Sequence, residues 1–321
     1  MIEKLLFGLV LAFLPAAAFS DQARPAVPAT ETAVATQSER SIPRPAIWLL
    51  ADEDTRIYLF GTILVLPPET RWRSPQLDQI VAEADELVHH LREDPEDDSE
   101  FIAPWMMRRS RVPILSRVSR ERREPLRNML DALDVTVEAM DHWQTWWAAH
   151  AISLDAVSLV HGRDPSYRWS DDPDRLTRVE DELLGDFTRT GRPISAVQTM
   201  TEIFRSLSQL PERSQREMLD SVVDAYRRGE LPRRPLGPRQ PSKEAWISGN
   251  IEQIGAEMEW SSPELFDVMI KRPNAELTRW LIKRLERPGT LLFAVGAGHL
   301  AGRGSVQSML EAEGFRITRL N

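Results

Sequence analysis

Apolar positions change their spacing several times along this chain, and each change marks an element. Residues 46–50 and 56–66 are apolar, β-rich runs on either side of Asp52, Glu53 and Asp54. Two such runs around a charged turn predict a hairpin. Ser74 and Pro75 then supply a preferred N-cap and a favoured first helical residue. Leu77, Ile80, Val81 and Ala84 follow at helical spacing. Residues 86–91 form the next strand-like run. The order strand, helix, strand marks a parallel α/β unit.

Residues 134–159 carry one apolar stripe through Val137, Met140, Trp143 or Gln144, Trp147, Ala151 and Leu154, which predicts a long helix. Trp143, Trp146 and Trp147 on it could offer an aromatic platform to a carbohydrate or a cation, but their spacing fits helix-packing core. Residues 179–190 predict a helix and residues 194–197 a strand. From Thr199 to about Leu285 the pattern is helical, interrupted by a Pro-rich loop at 232–241. Residues 291–295 are continuously apolar between Gly289 and Gly296, as expected of a central parallel strand. A last helix (304–313) and an edge strand (315–320) close the pattern. The expected fold class is α/β. A mixed sheet is formed by the N- and C-terminal segments, with a large helical insertion at about 100–285.

The N-terminus adds a compartment. Lys4 precedes an apolar run from Leu5 to Phe13, and Ala18 and Ser20 suit the −3 and −1 positions of a signal-peptidase site. The run is short of the roughly 20 apolar residues that a spanning helix needs. Residues 1–20 are therefore expected to be a signal peptide, and 21–41, rich in Ala, Pro, Thr and Gln, a flexible linker. Residues 42–321 form the working domain. The expected location is the periplasm or the exterior, with no membrane span after cleavage. The chain has no Cys, so thiolate metal sites, Cys nucleophiles and disulfides are ruled out. A net charge of −9 argues against a nucleic-acid partner. Residues 92–100 are acidic and 108–127 strongly basic, which predicts two solvated faces that neutralise each other.

In open α/β sheets, pockets form beyond the carboxyl ends of the strands. Three strand ends qualify: Gly61 to Leu64, His89-His90, and Gly296-Ala297-Gly298-His299. The glycines would let backbone approach a ligand closely and tolerate positive φ. His299 follows a buried strand, where a polar side chain needs a reason. Gly296-x-Gly298 lacks the third Gly of a dinucleotide fingerprint and the Lys-Ser/Thr of a Walker loop. His89 and His90 are adjacent on a strand and face opposite sides, so at most one can join His299. His90 and His299 could hold a metal, but two ligands make a poor site.

Taken in order, these segments resemble the TraB/GumN family. Residues 46–68 are similar to its opening hairpin and Gly-Thr-Ile-His turn, and 74–90 to its first helix and next strand. Residues 191–199 are similar to its strand leading into Leu-Glu-Thr. Trp246-x-x-Gly249-Asn250 and Arg272-Pro273-Asn274 look like its later helical motifs. Residues 291–302 (LLFAVGAGHLAG) nearly match its closing motif. The resemblance implies an α/β core with two Gly-x-x-His motifs facing one pocket. Some distant relatives are metal-dependent proteases that use those His and a Glu.

This chain departs from that pattern at the polar positions. The first motif His is Leu64, the Glu closing the next strand is His90, and the Glu of Leu-Glu-Thr is Gln198. An upstream Asp aligns with Glu180. His299 remains as the catalytic candidate, with Arg272 also carried over. Leu cannot bind a metal or move a proton, and Gln cannot act as a base. The pocket expected from the resemblance is Gly61, Leu64, His90, Gln198, Arg272, Gly296 and Gly298 around His299. The expected function is a non-catalytic or degenerate binding or accessory protein, a pseudoenzyme without a cofactor, whose partner is an unknown ligand or a periplasmic protein. The alternative is a metal-dependent hydrolase with a site rebuilt around His90, His299 and a divalent ion.

Overall fold

The acidic residues 52–54 turn the chain back on itself. Asp52 Oδ1 accepts from the Thr55 amide at 2.9 Å, and β1 (Ile47–Ala51) pairs antiparallel with β2 (Thr55–Thr62). In the computed structural model the described residues are 42–63, 66–67, 70–92, 110–160, 179–229, 241–258 and 260–321, without the side chains of Arg92 and of residues 154–160. Residues Ile42 to Asn321 group as one unit. The predicted signal peptide, the linker and Leu64 lie outside the described residues, as do most of the acidic run and the 232–240 loop.

Helix α1 (Pro75–Glu83) starts at Ser74, whose hydroxyl accepts from the Leu77 amide, and it leads to β3 (Glu86–Arg92). Then come α2 (Arg123–Ala132), α3 (Val137–Asp141), α4 (Thr145–Val160) and α5 (Val179–Arg189). Strand β4 (Ile194–Thr199) returns to the sheet from within the helical insertion. Next are α6 (Met200–Ser208), α7 (Glu212–Arg227), α8 (Lys243–Ile247), α9 (Ile251–Glu257) and α10 (Pro263–Phe266). A π turn (Asp267–Lys271) runs directly into α11 (Arg272–Arg284). Strand β5 (Gly289–Gly296), α12 (Val306–Ala312) and β6 (Ile317–Arg319) complete the chain.

The sheet order is β4-β3-β5-β2-β1-β6. Strand β5 pairs parallel with both β2 and β3, and Leu291 to Val295 are fully buried. The mixed sheet is thus built from both ends of the chain, with β4 added at one edge. One sheet face packs Phe60, Leu87, Leu292 and Ala294 against α1 and α5. The other packs Leu59, Val88, Phe293 and Val295 against α11 and α12. A separate apolar cluster joins α2, α4, α6 and α7.

The long helix expected over 134–159 is broken. Asp134 has φ of 59°, and residues 142–144 separate α3 from α4. The cause is Arg117, which is 2% exposed. Its guanidinium donates to the carbonyls of Val112, Asp141 and Trp143 at 2.6–2.8 Å. A buried cation needs such partners, and two of these carbonyls are taken from the helical ladder. Arg117 also corrects the view of 108–127 as solvated; Arg122 likewise pairs with Asp220 and Asp224. Trp146 and Trp147 are buried in the helical cluster and Trp143 packs on it, so the carbohydrate platform is removed.

His150 sits in that cluster between Trp147 and Phe204. Burial lowers its pKa to about 4. Above pH 6.5 the ring is neutral in both folded and unfolded chains and contributes nothing to pH dependence. As pH falls from 6.5 to 4, the unfolded chain takes up a proton that the folded one refuses. Stability is expected to drop by up to about 3 kcal/mol over that window. Urea unfolding at pH 7 and pH 4 checks this, with His150→Phe losing correspondingly less than the natural protein.

Candidate functional site

At the carboxyl end of the parallel strands, β5 runs into a 3-10 turn (Ala297–Leu300) that carries His299. Its ring lies 4.9 Å, centroid to centroid, from the ring of His90 near the end of β3. Gly296 lies beneath both: a Cβ there would sit 3.6 Å from His299 Cδ2 and 3.9 Å from His90 Cε1. Burial lowers the pKa of both imidazoles. His299 falls well below the usual value, and the neighbouring His90 depresses it further. For His90 the Glu180 carboxylate opposes the effect of burial.

Two residues outside the expected set hold this arrangement. Asn274, fully buried near the start of α11, reaches His299 Nδ1 with Oδ1 at 2.6 Å. Thr62, closing β2, donates to Glu180 at 2.6 Å, which fixes the first turn of α5 over the strand ends. His89 points to the other sheet face. It is 7% exposed, its Nε2 has no hydrogen-bond partner, and burial lowers its pKa against the fields of Glu180 and Asp181.

Gln198 and Arg272 have hydrogen-bond partners of their own. Gln198, 5% exposed at the end of β4, donates through Nε2 to Glu276 of α11 at 2.6 Å, and its Oε1 is unpaired. Arg272 is exposed, pairs with Asp267 at 2.6 Å, and lines a different cleft of about 450 Å³ with Ser206, Leu210 and Glu264. Its neighbour Asn274 is the residue of that motif that reaches His299. In the folded helix Asn274 shares the buried stripe of α11 with Leu277 and Leu281.

The glycines serve packing. None of Gly61, Gly296 and Gly298 has positive φ, which corrects that expectation. A Cβ on Gly61 would lie 3.2 Å from Ala297 Cα, and one on Gly298 2.5 Å from Met258 Cε. Trp246 donates its indole N–H to the Gly61 carbonyl at 2.7 Å, so the Trp246 motif pins the end of β2. Gly249 behind it has φ of 66° and packs against the Arg44 carbonyl.

The class is an α/β protein whose mixed sheet is built from both ends of the chain, with His299 following its central strand. The TraB/PrgY/gumN family model matches residues 46–319, and the chain belongs to that family. A stretch of 108 residues is 30% identical to the "Metalloprotease TIKI homolog" of Amphimedon queenslandica, covering 32% of this chain and 21% of that protein. The chain thus matches about a fifth of that relative's length. This likeness supports the superfamily link that the motifs imply. No solved structure matches.

Among the described residues no three His, Asp or Glu side chains are grouped to hold one ion. His299 Nδ1 faces Asn274, Glu180 is taken by Thr62, and Gln198 offers only an amide. Hard divalent ions favour several oxygen ligands with negative charge.

The two close glycine approaches should respond differently to a methyl group. Gly61→Ala must push backbone at Ala297 and move the turn carrying His299, at about 1–3 kcal/mol. Gly298→Ala meets only the flexible end of Met258 and should cost less than about 1 kcal/mol. Urea denaturation of the two variants beside the natural protein checks the order.

Proposed function

We propose that this chain is an exported TraB-family protein that binds a ligand or a periplasmic partner at its His90–His299 site without hydrolysing it. The observation that carries the reading is the commitment of the site's polar groups to one another. Asn274 takes His299 Nδ1 and Thr62 takes Glu180. Thr62, whose hydroxyl donates to that carboxylate, is only 3% exposed. Leu64 adds no donor atom at the position where the family resemblance implies His. The signal-like residues 1–20 and the Cys-free composition support export. Among the described residues no helix is long and apolar enough to cross a membrane.

A second reading, a metal-dependent hydrolase around His90 and His299, is favoured by one observation. The two rings adjoin at 4.9 Å, and burial keeps them neutral, the form in which imidazole binds metals.

Elemental analysis of the purified mature protein separates the two. The expected outcome is less than stoichiometric metal and no turnover of a broad peptide and ester panel. The triple variant Leu64→His, His90→Glu, Gln198→Glu should bind a divalent ion at least about tenfold more tightly, the scale on which changes around a metal site act. Equal affinity in the natural protein defeats the degenerate reading. Fractionation of cells expressing the chain with and without residues 1–20 tests export.

A further inference from the structure

Asn274 is fully buried, and a buried amide is retained where its polar atoms are satisfied. Its Nδ2 donates to the His299 carbonyl at 3.2 Å and to the Gly304 carbonyl at 2.7 Å. These two acceptors decide which end of the amide faces them. Turned over, the Asn274 carbonyl would oppose two other carbonyls with no hydrogen to share. Oδ1 therefore faces the ring, 2.6 Å from His299 Nδ1. A carbonyl oxygen only accepts, so Nδ1 carries the hydrogen of this bond.

The route of the chain into α11 supports the same assignment. The π turn Asp267–Lys271 precedes Asn274 by a few residues. A π turn inserts one residue into the helical count, and one residue rotates all that follows by about 100°. Without it, position 274 would swing off the face that meets His299. At its far end α11 is held by Arg284, whose guanidinium donates to Glu86 at 2.7 and 2.9 Å.

We propose that Asn274 is a positioning residue that locks His299 in the Nδ1–H tautomer and presents Nε2 as a bare acceptor at the site. The site then selects a ligand group that donates, an N–H or O–H. This goes beyond the binding reading, because the lock holds whether or not the site turns anything over.

Long-range proton–nitrogen correlation spectra of the uniformly nitrogen-15-labelled mature protein at neutral pH test it. His299 is assigned by the signals lost in His299→Gln. The expected spectrum has Nδ1 in the protonated, pyrrole-type range and Nε2 in the bare, pyridine-type range. Asn274→Leu removes the acceptor and should give the opposite tautomer or a mixture. A proton on Nε2 in the natural protein overturns the proposal, as does an unchanged pattern in folded Asn274→Leu. If Asn274→Leu does not fold, the natural protein's own spectrum decides. Metal content and turnover do not enter this measurement, so its failure is distinguishable from failure of the non-hydrolytic reading.

Discussion

Strand β5 comes from the far end of the chain and is buried between β2 and β3, which come from the near end. Its register on β2 runs from Thr55–Gly289 to Thr62–Gly296 without interruption. A parallel pair needs both faces covered, and Leu291 to Val295 have no exposed side. The sheet therefore cannot close until the whole helical insertion has been made and folded back. Everything at the site follows from that closure, because the turn carrying His299 is the continuation of β5. Loss of the β5 register would carry His299 away from His90 and from the Gly61 approach together.

Helix α11 translates this sheet geometry into side-chain geometry. Arg284 ties its last turn to Glu86 at the start of β3, and Asn274 ties its first turn to the loop after β5. The helix is braced at both ends against strands that it crosses, with Leu277 and Leu281 filling the space between. A charged pair at one end and an amide at the other suit their surroundings. Arg284 has several carbonyl and carboxylate acceptors within reach, whereas Asn274 meets a ring nitrogen and two carbonyls and needs both a donor and an acceptor.

Much of the fold was legible because the signals were local. The charged turn at 52–54, the Ser74-Pro75 helix start and the continuous apolar run at 291–295 each act within a few residues. The break between α3 and α4 was not legible, since Arg117 causes it from outside the helix by drawing off carbonyls of Asp141 and Trp143. Site residues divide along the same line. His299 was visible as a polar residue after a buried strand. Asn274 and Thr62 were not singled out, because their roles exist only once α11 and α5 have docked on the strand ends. Arg272 lies in a family-like motif, but its side chain turns outward to Asp267.

The closing segment 291–302 illustrates why motif likeness and chemistry can part company. Ala297 needs Gly61 to have no side chain, Gly298 gives room to Met258, and Gly302, at φ of 70°, lies against Gly255. Leu300 and Ala301 are buried. The segment is thus demanded by packing whether or not a substrate is ever cleaved beside it. At two of the positions that differ from the family pattern, the His90 ring adjoins that of His299 at 4.9 Å and Gln198 reaches an exposed carboxylate on α11. A chain can therefore keep nearly the whole closing motif while polar residues elsewhere differ from the family pattern. What such a chain does is decided by the few side chains that touch His299, more than by the motif that delivers it.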